Sequence, residues 1–330
     1  MRDPLTSPFR IGDVEVANRL VLAPLAGIGN WFVRLQARRY GAGLAVSEMV
    51  SAIALERGNR RTHVEMLRIH PDEHPVSVQL FGPEPAAVRE AAAMAVEAGA
   101  DLIDLNMGCP VRKVLKTGAG AALLEQPDRA VAVARAAGEG AQGRPVTVKL
   151  RSGMRPGDRS GFELAVRLVE EAGVAAIGFH PRSASVRHAG SPDYALARAL
   201  AERIEVPVVL SGGLRTATAA RAAYEESGAA AVMLARGALG NPWLFAELTG
   251  TRKGPPTQAE VDAELRWLID RAEEHWGPER AARNLRKLYP PYLEALGIRG
   301  VAADSFMRMA TTREVRERLR EAWDAVPIAA

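Results

Sequence analysis

One thiol, Cys109, stands among 330 residues, in the stretch NMGCPVRKVLKTGAG at 106–120. Asn106 lies three residues before it, a proline directly after it, and Arg112, Lys113 and Lys116 follow. A solitary cysteine is more often a small buried hydrophobe than a reactive group. A thiol with an ordinary pKa of about 8.5 is nevertheless mostly protonated at neutral pH and close enough to it to give up a proton, which is what a general acid needs. Further groups with chemical use punctuate the apolar runs of the chain: Gln79 in VSVQLF, Asn106 at the end of LIDLN, Lys149 and Arg151 in VTVKLR, and His180 after VAAIGF. Singly, an amide there can cap a backbone group and a histidine can be a satisfied structural residue. Jointly they bring amide, thiol, ammonium and imidazole to one place, provided that the fold sets these runs side by side.

The runs that must do so number eight: RLVLAPL (19–25), LAVSEM (44–49), VSVQLF (76–81), LIDLN (102–106), VTVKL (146–150), VAAIGF (174–179), VPVVLS (206–211) and AAVMLA (230–235). Most are continuous rather than alternating, as in strands buried on both faces of a parallel sheet. Segments of helical spacing separate them, such as PEPAAVREAAAMAVEAG (83–99), SGFELAVRLVEEAG (160–173) and TATAARAAYEESG (216–228), each closing on a glycine. Eight β/α units predict an α/β fold of the TIM (β/α)8 barrel class. An open doubly wound sheet would carry a glycine fingerprint after its first strand. The only GxGxxG, at Gly138, Gly140 and Gly143, precedes a strand and reads as the loop ending a helix. After NPWLF (241–245) the periodicity becomes purely helical. The expected organisation is a barrel over 1–248, a linker over 249–257 and a smaller all-helical domain over 258–330.

In a barrel the active site forms at the C-terminal ends of the strands, where the polar residues above fall. Strands seven and eight end differently, in SGGL (211–214) and ARGALGNPW (235–243). Glycines let backbone N–H groups approach an anion and Arg236 can neutralise it, at the position where barrels build phosphate sites. Tight turns without a ligand are the other reading of these glycines. The loops on the same face are basic: Arg57, Arg60 and Arg61; Arg112, Lys113 and Lys116; Arg151, Arg155 and Arg159; Arg182 and Arg187. The net charge of only +4 thus conceals a one-sided surface, which suits a large phosphate-bearing substrate. From residue 251 on, 14 basic residues meet 13 acidic ones, and the basic concentration is local: Arg280, Arg283, Arg286 and Lys287 at helical spacing with Tyr289 and Tyr292 nearby. These are candidate RNA contacts, with an ordinary solvated face as the alternative.

A single cysteine excludes an intramolecular disulfide and a cysteine-based metal cluster, and no metal site is expected. No apolar run reaches the roughly 18 residues of a membrane span, and the first residues lack a signal-peptide core. The expectation is a cytoplasmic protein with no membrane association and no obligate protein partner.

The stretches NRLVLAPLAG (18–27), SEMV (47–50), VQLFG (78–82), DLNMGCPVRKVLKTGAGAALL (104–124), VKLRSG (148–153) and ARGALGNPWLF (235–245) together resemble the tRNA-dihydrouridine synthase family, close to its bacterial B-type branch. The core NMGCPxxKV is the most specific of them. The resemblance implies FMN at the barrel mouth, NADPH as reductant, and reduction of the C5–C6 double bond of a uridine in tRNA, with hydride passing to C6 and Cys109 protonating C5. It places Pro24, Leu25 and Ala26 against the flavin through backbone, and Gln79, Lys149 and His180 around its ring system. Ser211, Gly212, Gly213, Ala235 and Arg236 would take the phosphate. Asn106, Arg151, His180 and Arg182 would lie near the uracil, and the C-terminal helices would grip tRNA. The base must leave its stack to reach the flavin.

Two stretches depart from the family pattern. Ser211, Gly212 and Gly213 stand where asparagine, glycine and aspartate are usual; Ser183, Ala184 and His188 replace a threonine-arginine pair and a tyrosine. The rivals are an FMN barrel reducing a small pyrimidine, of the dihydroorotate dehydrogenase kind, and a tRNA-binding protein without catalysis. The appended helices and basic loops argue against the first; bound flavin would exclude the second.

Overall fold

All eight apolar runs are strands in the computed structural model of the protein, which describes residues 3–324. In chain order they are Leu20–Leu22, Leu44–Val46, Val76–Phe81, Leu102–Met107, Val146–Arg151, Ala176–His180, Val208–Ser211 and Ala231–Leu234, here called strands one to eight. Each pairs in parallel with the next, and strand eight pairs in parallel with strand one, so the sheet closes and leaves no edge. The expected TIM barrel is what forms.

Helices connect the strands, and their ends show why the sequence turns where it does. Helices Ser160–Ala172 and Ala217–Ser227 both stop at a left-handed glycine, Gly173 and Gly228, a conformation that a side chain disfavours. The glycines at 138–143 end helix Pro127–Gly140 and the turn into strand five, as read from the sequence. A Cβ at Gly140 would overlap the carbonyl oxygen of Arg89 on the neighbouring helix, so this glycine serves close helix packing rather than a dinucleotide.

Residues facing the barrel interior change character along its axis. Near the strand starts Val21, Leu44, Leu102, Ala176, Val209 and Ala231 share one apolar cluster with Phe9, Ile11 and Val16 of an N-terminal hairpin. Two to four residues on, the same alternation presents Asn106, Lys149, His180 and Ser211. The apolar end provides the burial that stabilises the fold, roughly 1.5–3 kcal/mol for each large side chain. The polar end is left for chemistry.

By contact density the chain divides into two units: Met1–Gly237 with Leu244–Thr251, and Ala238–Trp243 with Arg252–Ala330. The second is helical, with Gln258–Trp276, Pro278–Leu285, Tyr289–Ala295, Gly300–Phe306 and Thr312–Asp324. Its longest helix starts at a capping box, in which Thr257 accepts from the Glu260 N–H and the Glu260 carboxylate accepts from the Thr257 N–H. Its core gathers Leu265, Ile269, Leu285, Tyr292 and Phe306.

Candidate active site

The floor of the mouth is a ladder of side chains reaching from strand five to the Cys109 loop. Asp104 is set by register between Gln79 and Thr147. Thr147 Oγ1 donates to Asp104 Oδ1 at 2.6 Å and Gln79 Nε2 donates to Asp104 Oδ2 at 2.6 Å. Asn106 Nδ2 in turn donates to Gln79 Oε1 at 2.9 Å, while Asn106 Oδ1 accepts the backbone N–H of Cys109 at 3.0 Å and of Gly108 at 3.3 Å. The half-buried thiol of Cys109 therefore sits on a loop whose first turn is held by Asn106. Burial pushes the Asp104 carboxyl up to about 6, opposed by the bonds from Thr147 and Gln79 and by the charge of Lys149.

Lys149 crosses the mouth. Its register partner on strand six is Gly178, where a Cβ would stand 3.2 Å from Lys149 Cγ. The missing side chain lets the ammonium pass over strand six and donate to Ser211 Oγ on strand seven at 3.1 Å. Burial and then the charge of Arg151 lower the Lys149 pKa to about 8, so it remains a cation at neutral pH.

Arg151 is buried and ties loops together: Nε donates to the carbonyl of Gly108, next to Cys109, at 3.0 Å, and Nη1 to those of Ser183 and Arg187 at 3.1 and 2.7 Å. Arg187 holds a left-handed φ of 53°, a strained state for a non-glycine residue. His180 is buried, with Arg182 Nη1 3.3 Å from its Nε2. A guanidinium can only donate, so Nε2 is the acceptor and the imidazole proton lies on Nδ1. Burial first, then Lys149, Arg151 and Arg182, hold His180 far below the usual histidine range, and it stays neutral. His188 stacks on it with ring centroids 6.0 Å apart.

Strands six to eight gather cations. Arg236 is exposed at the end of strand eight, and burial of its inner part followed by the like charges of Arg215 and Arg182 depresses its pKa. No carboxylate offsets them among the interactions that shift Arg236, the electrostatic signature of an anion site. Gly212 and Gly213 adopt φ of 111° and 82°, and a Cβ on Gly212 would meet His180 Cδ2 at 2.6 Å. Backbone alone fits there, as a phosphate cradle requires. Next to strand eight, Leu25 closes a tight turn by accepting from the N–H groups of Ile28 and Gly29, leaving Pro24 and Leu25 half-buried and Ala26 exposed, while Ala23 joins strand eight at Leu234.

The candidate RNA cations fare unevenly. Arg112, Lys113 and Lys116 are exposed on and beside the one-turn helix Arg112–Leu115, just past Cys109. In the helical unit, Arg280 and Arg283 share helix Pro278–Leu285, but that helix ends before Arg286, so the four cations do not share one helical face. Arg286 instead donates to the Met309 carbonyl at 3.1 Å. Tyr289 and Tyr292, read as neighbours of this patch, are fully buried in the core and are not available to stack on a base. Their prolines place them at the start of helix Tyr289–Ala295, which turns them inward.

Asp104, Thr147 and Gly178 escaped the sequence reading. The signal for the first two was present: with side chains alternating along a strand, Asp104 lies on the face of Asn106, and Thr147 on that of Lys149 and Arg151.

The family model for dihydrouridine synthases matches residues 21–325. Among curated proteins, the chain is 35% identical over 292 residues to tRNA-dihydrouridine synthase B of Escherichia coli strain K12, covering 87% of this chain and 90% of that one. It is 37% identical over 297 residues to the same synthase of Pseudomonas aeruginosa, covering 88% of each. Among solved structures, morphinone reductase in complex with tetrahydroNAD superposes with a TM-score of 0.54 at 16% identity, covering 78% of this chain and 94% of that one. Histamine dehydrogenase from Rhizobium gives 0.57 at 16% identity, with 76% of this chain spanning about half of the other, 48%. The structural likenesses establish the barrel alone.

Proposed function

Because the chain belongs to the dihydrouridine synthase family and is a flavin-dependent oxidoreductase that forms dihydrouridine in tRNA, we propose that it uses FMN, takes its reducing equivalents from NADPH, and relies on Cys109 as the proton donor. The observation that carries this reading is the Cys109 loop, held by Asn106 Oδ1 and by Arg151 at a mouth that Lys149 and His180 also face.

The residues present fit the cofactor. Gly212 and Gly213 with Ser211, Ala235 and Arg236 would hold the phosphate, where the like charges of Arg215 and Arg182 act on Arg236 and a Cβ would collide. Gln79, Lys149 and the backbone of Pro24, Leu25 and Ala26 would border the ring system. The chemistry that the cofactor supplies when bound is hydride delivery to uracil C6.

This chain's own residues do the rest. Asn106 holds the backbone of the Cys109 loop, and the thiol places its proton on C5 as hydride arrives at C6, so the double bond gains two hydrogens in all. The neutral His180, with its proton on Nδ1, offers one donor without competing as an acid. Together with Arg151 and Arg182 it supports charge building on the uracil carbonyl. Exposed Arg112, Lys113 and Lys116 attract the phosphate backbone around the extruded base. In the helical unit Arg280, Arg283, Arg286 and Lys287 would extend that grip, and the reaction would proceed in the cytoplasm.

The test is expression in a strain whose tRNA lacks dihydrouridine, followed by mass spectrometry of its tRNA. A uridine gaining two hydrogens, absent with Cys109→Ala, supports the reading. Unmodified tRNA with normal flavin binding would favour a small pyrimidine as substrate, and colourless protein a binding role alone.

A further inference from the structure

Asp104 is a buried carboxylate that touches none of the groups assigned to the reaction except Gln79. We propose that Asp104 is a positioning residue: it fixes the direction of two amides, Gln79 and Asn106, and thereby keeps an acceptor under the backbone of the Cys109 loop. The inference rests on the role of Cys109 as acid given above.

The argument is one of donors and acceptors. An ionised carboxylate only accepts, so Gln79 must turn its NH2 toward Asp104 and its carbonyl toward Asn106. Asn106 must then turn its own NH2 toward Gln79, at 2.9 Å, which leaves Oδ1 for the N–H groups of Gly108 and Cys109. Reversing any rung would set NH2 against N–H at the thiol-bearing loop. One acid two residues back on the same strand thus selects one of two nearly isosteric arrangements.

Asp104 does not serve stability. Its folded pKa, about 6, lies above its ordinary value of 3.8, so its contribution to stability is fullest below the ordinary value and is lost as pH rises toward and through about 6. At neutral pH burial disfavours the ionised form, and the bonds from Thr147 and Gln79 and the charge of Lys149 offset that only in part. An asparagine at this position is therefore expected to fold.

Asp104→Asn retains shape but supplies a donor. Thr147 gives its hydroxyl proton to position 104 and to no other group among the described residues. The carbonyl of the introduced amide therefore faces Thr147 and its NH2 faces Gln79, which reverses the ladder. Combining Asp104→Asn with Gln79→Glu moves the carboxylate up one rung: the new acid accepts from both flanking amides, and Asn106 regains its original direction.

The measurement is backbone hydrogen exchange of Gly108 and Cys109, by NMR or on a peptide spanning residues 106–111, in the full-length protein as purified at pH 7.5. Asp104→Asn is expected to accelerate exchange there about tenfold, the loss of roughly one hydrogen bond. The double variant is expected to return to within about threefold of the unsubstituted protein. Unchanged exchange in Asp104→Asn, or failure of the double variant to restore it, would overturn the proposal. Should Asp104→Asn not fold, the unsubstituted protein still decides: protection of Cys109 relative to Met107 should fall as pH drops through about 6 and the acid becomes a donor, and a constant ratio overturns the idea. These readouts need no turnover, so a failure to modify tRNA would count against the proposed function and leave this result standing.

Discussion

Lys149 reaches Ser211 across Gly178: Nζ donates to Oγ at 3.1 Å over a strand that lacks a side chain at that register. Strand five thereby contributes a cation to the side of the mouth where strands seven and eight prepare for phosphate. Where the resemblance leads one to expect an asparagine, the Ser211 hydroxyl accepts from the ammonium as an amide carbonyl would.

The first prediction concerns pH. Lys149 has a folded pKa of about 8, below its ordinary 10.5, so the folded chain without flavin loses this proton before the unfolded chain does. Between those values the flavin-free fold gains stability with rising pH, whereas any ligand that needs the ammonium loses affinity. The FMN dissociation constant should be flat below about 8 and rise above it with a limiting slope of about one log unit per pH unit. Titration of flavin fluorescence from acid to alkaline buffer measures this. In Lys149→Met the dependence should vanish along with much of the affinity.

Gly212→Ala should separate flavin binding from folding. The glycine holds φ 111°, where a side chain is strained, and its Cβ would meet His180 Cδ2 at 2.6 Å. The ring must move, and with it the Arg182 contact to Nε2. We expect flavin affinity to fall at least tenfold, about 1.4 kcal/mol, while far-UV circular dichroism stays unchanged. Equilibrium dialysis against FMN reads the first quantity directly.

The sequence displays the barrel so plainly because most strands are continuous apolar runs and several of the helices between them end at a glycine, and the mouth follows because polar residues collect at strand ends. What pairwise contact decides was not legible. That Arg151 would brace Gly108 against Ser183 and Arg187 depends on loop paths with no periodicity. The burial of Tyr289 and Tyr292 depends on where one short helix stops, a boundary that the even spacing of Arg280, Arg283 and Arg286 conceals.

Cys109→Ala and Cys109→Ser should divide the two half-reactions. Neither change touches the cation cluster, and Cys109 is only the weakest of the charges that act on Lys149, so flavin content and its reduction by NADPH should stay within about twofold of normal. Proton donation is lost with alanine and handicapped with serine, whose hydroxyl is a far weaker acid. General acid catalysis contributes about 10²–10⁴-fold, and reoxidation of the reduced protein by tRNA should slow by that much. Stopped-flow absorbance of the flavin follows both steps. Equal slowing of both would remove Cys109 from the role of acid.

A last prediction lies behind the mouth, at the buried pair Arg34 and Glu73, whose side chains are 1% and 0% exposed. Arg34 donates to both Glu73 oxygens, at 2.7 and 2.9 Å, and also to the carbonyls of Gly29 and Arg68. The pair therefore does two things: it neutralises two buried charges and it pins the loop after strand one, whose backbone is expected to border the flavin. Arg34→Met alone removes the ion-pair partner of a buried carboxylate, leaving it the His70 N–H, and should cost about 3–5 kcal/mol in urea denaturation of the flavin-free protein. Adding Glu73→Leu removes the orphaned charge, and most of that loss should be recovered, since apolar replacements of a buried pair are often neutral. Flavin affinity should not recover, because the bonds from Arg34 to the Gly29 and Arg68 carbonyls are lost in both variants. If affinity returns together with stability, the pair is a packing element only and the loop holds its shape without it.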